Sequence, residues 1–157
     1  MTVTAQSIEE MTLTISLEIH VHAPLDVTFA ALLEQIGPAN ETPEGKPIPM
    51  ILEPWPGGRW YRDLGGDNGH LWGHVQAIKR PTLLEFTGPL FMSCPVANNL
   101  QYRLSEAGGV TIVKFRHSGF GLIEDQHKRG VATGWGHIHE QVRRRAEASR
   151  SSSSSAE

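Results

Sequence analysis

The sequence predicts an α+β domain in which a long C-terminal helix is held against an antiparallel sheet, with a short helical segment after the first strand. Three observations carry this. Leu13, Ile15, Leu17, Ile19 and Val21 alternate with polar residues, the period of a half-buried strand. Val131, Trp135, Ile138 and Val142 are spaced 4-3-4 near the C-terminus, an apolar helical stripe. Between them, strand-like runs are separated by turns rich in Gly, Pro, Asn and Asp.

The elements follow in order. Residues 1–11 carry no useful period and read as a flexible N-terminus. The first strand runs from Thr12 to His22. Pro24 at a first helical position and Asp26 in the first turn then mark a helix start. Leu25, Phe29, Leu32, Leu33 and Ile36 share one face of that helix, and Gly37-Pro38 ends it. Residues 37–49 read as a long exposed loop, given their prolines and glycines. Two strands are expected at 51–53 and 59–62, with Pro56-Gly57-Gly58 turning between them. Residues 63–69 form a further turn. Strand signals follow at 70–79, 83–87, 98–105 and 110–117, the last two joined by Ala107-Gly108-Gly109.

Glu124 and Asp125 open the final helix and Arg143-Arg144-Arg145 close it, which suits the helix dipole at both ends. Gly130, Gly134 and Gly136 conflict with it locally, because each costs about 1 kcal/mol relative to alanine. Close packing against the sheet would compensate, or the helix is irregular up to about Trp135. Residues 148–157 are a serine-rich tail expected to be disordered. The single folded unit is therefore 12–147.

The chain has 157 residues and a formal net charge of -3. The length suits one domain with a real core. The charge leaves no electrostatic footprint for nucleic acid. Cys94 is the single cysteine, so no intrachain disulfide forms, which fits a reducing compartment. The first residues lack a basic segment followed by an apolar core, and no apolar run is long enough to span a bilayer. The protein is read as cytoplasmic. A homodimer is compatible with the sequence, and nothing in the sequence requires one.

Several landmarks stand in fixed order: Ala23-Pro24, Glu53-Pro54-Trp55-Pro56-Gly57-Gly58-Arg59-Trp60, Gly73-His74-Val75, Arg80-Pro81, His117-Ser118-Gly119-Phe120 and Gly134-Trp135. With the element order, they make the chain resemble the SRPBCC (START-like, Bet v 1-like, helix-grip) superfamily over roughly residues 12–146. Within it the chain looks most like the Activator of Hsp90 ATPase homologue 1-like family. The resemblance implies a curved antiparallel sheet wrapped around the last helix and enclosing an apolar cavity. Superfamily members bind lipids, steroids or polyketides, and some are cyclases or oxygenase subunits; fold alone does not choose among these. The eukaryotic co-chaperone that named the family has a second domain contacting the chaperone, for which this chain leaves no room.

Alternation places the candidate site. Val113, Phe115 and His117 share one strand face, with Leu100, Tyr102 and Leu104 in a similar row opposite. His139 lies four residues after Trp135 and borders the apolar stripe. Tyr102, His117, Trp135 and His139 are thus expected to converge on the cavity, with Phe115 and Trp60 also in its lining. The leading reading is a binding protein for a hydrophobic small molecule, in which one or two polar groups fix a ligand in an apolar pocket. One alternative is a cyclase or dehydratase using His117, Tyr102 or His139 for proton transfer. Another is a chaperone-related protein-interaction module. Whether the protein is an enzyme is left open. The structural reading of the same residues is that the histidines bond to backbone or water and Trp135 fills the core.

Eight histidines raise the question of a metal. His20 and His22 share a polar strand face, His70 and His74 share a face with Trp72 between, and His137 and His139 point to nearly opposite sides of a helix. No zinc-site spacing is present, so neither metal nor cofactor is expected. Cys94 reads as a structural thiol. Glu53, Asp63 and Asp67 read as solvated turn residues.

Overall fold

The computed structural model describes residues 5–154, with side chains through Arg150. A short 3-10 turn at Glu9–Met11 leads into β1, Thr12–Val21. The lead-in is more ordered than its lack of period suggests: Glu10 accepts from the Ser7 amide, and Ser7 Oγ accepts from the Glu10 amide, a reciprocal cap. Residues 1–4 of the expected flexible terminus lie outside the described residues.

After β1 come α1 (Leu25–Ile36), β2 (Ile51–Leu52), β3 (Arg59–Gly65), β4 (Asn68–Lys79), β5 (Leu83–Gly88), β6 (Val96–Ala107), β7 (Val110–Gly121) and α2 (Asp125–Ser154). All seven strands form one antiparallel sheet in the order β1-β7-β6-β5-β4-β3-β2. The chain thus lays down one edge, crosses by α1 to the other edge, and meanders back until β7 closes against β1. The alternation of β1 is the one its sequence predicts, with Leu13, Ile15, Leu17 and Ile19 half-buried and their polar neighbours exposed. Val113, Phe115 and His117 on β7, and Leu100, Tyr102 and Leu104 on β6, are all buried on the inner face.

α2 lies across that inner face. Val131, Trp135, Ile138, Val142 and Ala146 are its buried stripe. α1 packs beside it through Phe29, Leu32 and Ile36. The structure is therefore the expected helix-grip, with several boundaries moved. Pro24 is the N-cap of α1 in extended backbone, and the helix starts at Leu25. β3 and β4 take up most of the expected 63–69 turn. β7 runs four residues past His117 because the chain through Gly121 still finds ladder partners on β6 and β1. α2 continues beyond the arginines through Ser154, into the stretch read as a tail; residues 155–157 lie outside the described residues.

Two features depart further. The loop after α1 is not simply exposed. It closes on itself, with Asn40 and Met50 amides both donating to the Gly37 carbonyl and Ile48 donating to Asn40. Asn40 and Met50 are buried, and the loop folds back onto the domain. The three glycines of α2 also do not mark close packing, because nothing lies within 4 Å of where a Cβ would stand at Gly130, Gly134 or Gly136. The helix is nonetheless continuous there.

Candidate functional site

The space left by Gly130 and Gly134 is part of a cavity of about 340 Å³ between α2, the inner face of the sheet and the 37–50 loop. Ile36, Ile48, Val131 and Ile138 supply aliphatic wall. Trp60, Trp72, Phe91 and Trp135 supply aromatic wall, and Gly130 and Gly134 form a floor without side chains. The polar contribution is small: Asn40, Glu41 and Thr42 from the loop, and Gln126 and His127 from the start of α2.

The aromatic wall is assembled by backbone irregularity. Trp60 pairs with Gly73 and Tyr61 with Leu71, so Trp72 is an extra residue on β4. Such a bulge re-aims a side chain, and Trp72 and Trp60 meet in a T-shaped pair with 5.1 Å between ring centroids. Gly73 must be a glycine, since a Cβ there would stand 2.5 Å from the Thr87 carbonyl oxygen. Leu90, held at φ 57, donates its amide to the Trp72 carbonyl and so sets Phe91 against Trp72, 5.7 Å between centroids. Trp60 is itself fixed by its indole N–H, which donates to the Ile36 carbonyl at 2.9 Å. It both walls the cavity and closes the sheet against α1.

The predicted residues divide in two. Trp60 and Trp135 line the cavity. Tyr102, Phe115, His117 and His139 lie in a closed layer behind Trp135, away from the lining. Trp135 Nε1–H donates to His117 Nδ1 at 3.1 Å, and His117 Nε2 meets Asn98 Oδ1 at 2.8 Å. An indole only donates and an amide oxygen only accepts, so His117 carries its proton on Nε2. Gly119 allows this contact: it stands opposite Asn98, and a Cβ there would meet Asn98 Oδ1 at 2.7 Å. Tyr102 OH and His139 Nε2 form a second buried pair at 3.0 Å. Burial pushes both imidazoles down to about 4 and the Tyr102 phenol well above its ordinary range. All three are held neutral near pH 7.

At the cavity mouth, His137 Nε2 and Glu41 Oε1 lie 2.9 Å apart and tie α2 to the loop. At the far end of the sheet, Glu53 is not a freely solvated turn residue. Its carboxylate takes Arg59 Nε at 2.7 Å and Nη2 at 3.0 Å, which holds it down at about 2. This clamp closes the Pro56-Gly57-Gly58 turn that delivers Trp60. His20 and His22 are exposed as expected. Among the described residues no group of three His, Cys, Asp or Glu could hold a metal ion, and no helix is long and apolar enough to cross a membrane.

Sequence reasoning missed Trp72, Phe91, Asn98 and the loop residues as parts of this region. A polar Asn98 at an inward position of a strand was the one available signal. Phe91 and the loop had none, because their placement depends on a bulge and on chain closure.

An antiparallel sheet gripping a long helix, with an apolar cavity between them, defines a helix-grip protein. The family described as Activator of Hsp90 ATPase homolog 1-like protein matches residues 22–147, and the chain belongs to that family. No curated protein matches the sequence. Among solved structures, protein MLL2253 from Mesorhizobium loti is similar with a TM-score of 0.65 and 17% identity, over 86% of this chain and 97% of that one. Ara h 8.0201 aligns with a TM-score of 0.64 and 16% identity, over 87% of this chain and 99% of its own. The di-domain ARO/CYC StfQ from the steffimycin biosynthetic pathway aligns with a TM-score of 0.66 and 9% identity, over 92% of this chain and 53% of StfQ. At these identities the likeness is one of fold.

Proposed function

We propose that this protein binds a small hydrophobic molecule in the cavity between α2 and the sheet. The observation that carries this is the apolar cavity itself. Its wall is mostly aliphatic and aromatic, its volume of about 340 Å³ falls in the range of ligand sites, and glycines at 130 and 134 leave it unfilled. Helix stability alone would favour a larger residue at either position. Trp60 and Trp135 are the ligand-contacting residues among those the sequence singles out. Tyr102, Phe115, His117 and His139 support Trp135 from behind.

Acid–base chemistry by His117, Tyr102 or His139 finds less support. His117 spends both ring nitrogens on protein partners, Tyr102 and His139 face each other, and none of the three lines the cavity. A general acid or base needs to reach the proton it moves.

The test uses N-phenyl-1-naphthylamine, a neutral apolar fluorophore, with native mass spectrometry of freshly purified protein. Saturable one-to-one fluorescence enhancement is expected in the wild type and its loss in Gly134→Leu, whose side chain enters the cavity. Absence of saturable binding in the wild type, or unchanged binding in a folded Gly134→Leu, overturns the reading.

A further inference from the structure

The electrostatics of the lining narrow the ligand class, an inference that rests on the cavity being a ligand site. Four of its walls are the rings of Trp60, Trp72, Phe91 and Trp135. They run as a connected set, with centroids 5.1 Å apart for Trp60–Trp72, 5.7 Å for Trp72–Phe91 and 6.4 Å for Phe91–Trp135. The first two contacts are edge-on, so neighbouring rings do not share one plane around the space. Aromatic faces carry partial negative charge, and indole is the strongest of them toward a cation. Glu41 is the one carboxylate in the lining, and no Lys or Arg side chain lines the cavity among the described residues. His127 is the remaining titratable group there, and its Nδ1 is buried without a hydrogen-bond partner.

We propose that the cavity selects an apolar molecule bearing an alkylated ammonium group, held among the Trp60, Trp72 and Phe91 rings near Glu41. A carboxylate or sulfonate ligand would meet aromatic rings and the Glu41 side chain, with no Lys or Arg in the lining to answer it. A neutral hydrocarbon of the same shape would keep the apolar contacts and forgo the cation–π attraction. Glu41 already bonds His137. That contact engages one carboxylate oxygen of Glu41, Oε1.

The experiment is competition against bound N-phenyl-1-naphthylamine on the intact chain at pH 8, with three ligands of one shape: benzyltrimethylammonium, neopentylbenzene and benzylsulfonate. The cation is expected to bind about tenfold or more tighter than the neutral isostere, the scale of a desolvated cation–π contact, and the sulfonate weakest of the three. Glu41→Gln is expected to narrow the cation's advantage several-fold with neopentylbenzene affinity unchanged, and Trp72→Leu to narrow it further, both checked for folding by thermal unfolding. If the fluorophore binds but the cation competes no better than neopentylbenzene, or the sulfonate competes best, or both variants keep the full cation advantage, this inference falls and the apolar cavity reading stands. If neither the fluorophore nor any of the three binds, the cavity reading itself falls.

Discussion

His117 spends its hydrogen-bonding capacity inside the core, accepting from Trp135 and donating to Asn98. His139 is buried against Tyr102. With both imidazoles lowered to about 4 by burial, the unfolded chain takes up these protons near 6.5 while the folded chain resists until near 4. Their contribution to stability is therefore present above about pH 6.5 and lost as pH falls toward 4. Thermal unfolding from pH 8 to 4 should show a falling midpoint across that window. It should be separable from Glu53 and Glu140, which their arginines hold at about 2 and which titrate lower. A midpoint flat between pH 6.5 and 4 would mean that neither histidine is buried neutral. Trp135 joins this layer to the cavity. It is 5% exposed, and Phe115, His117 and His139 all pack on its ring. Trp135→Ala should cost about 3–5 kcal/mol, the range for a truncated core aromatic. A loss nearer 1 kcal/mol in denaturant unfolding would place the ring in open cavity instead.

At the scale of elements, one substitution has opposite signs in the two halves of the fold. Gly73→Ala pushes a methyl against the β5 backbone at the bulge and should destabilise by about 1–3 kcal/mol, as overpacking does. Gly136→Ala sits in exposed helix with open space around it and should stabilise by about 1 kcal/mol. Paired urea titrations measure both, and two changes of the same sign would mean that strand approach and helix propensity are misjudged. The bulge matters beyond stability, because Trp72 faces the cavity only while the extra residue is accommodated. Gly73→Ala should therefore also weaken fluorophore binding, whereas Gly136→Ala should leave it intact.

Over the whole molecule, cavity and stability are linked by mass action. A ligand that binds only the folded chain stabilises it by about 2.7 kcal/mol at a hundredfold excess over its dissociation constant. N-phenyl-1-naphthylamine should thus raise the melting temperature of the wild type in a concentration-dependent way. Gly134→Leu should start more stable and show no such rise. An equal rise in both proteins would place the ligand elsewhere. The 37–50 loop takes part in this linkage because its walls are cavity walls and its tie to α2 is the Glu41–His137 contact.

What the sequence determined by itself was the set of elements and their inward faces. Period-two alternation in β1, β6 and β7, and the 131-135-138-142 stripe, each report burial through local spacing alone. That is why His117, Tyr102 and His139 were rightly placed on the inner face, and why the ordered landmarks pointed to the family. Tertiary structure decided which inward residues meet empty space. Trp72 and Phe91 reach the cavity through a bulge and a left-handed Leu90. The 37–50 loop becomes a wall through bonds back to Gly37. Gly130 and Gly134 of α2, in conflict with their helix when read locally, are where the cavity has its floor. Local spacing carries no information about such coincidences, because they arise where segments distant in the chain close against one another and leave a volume unfilled.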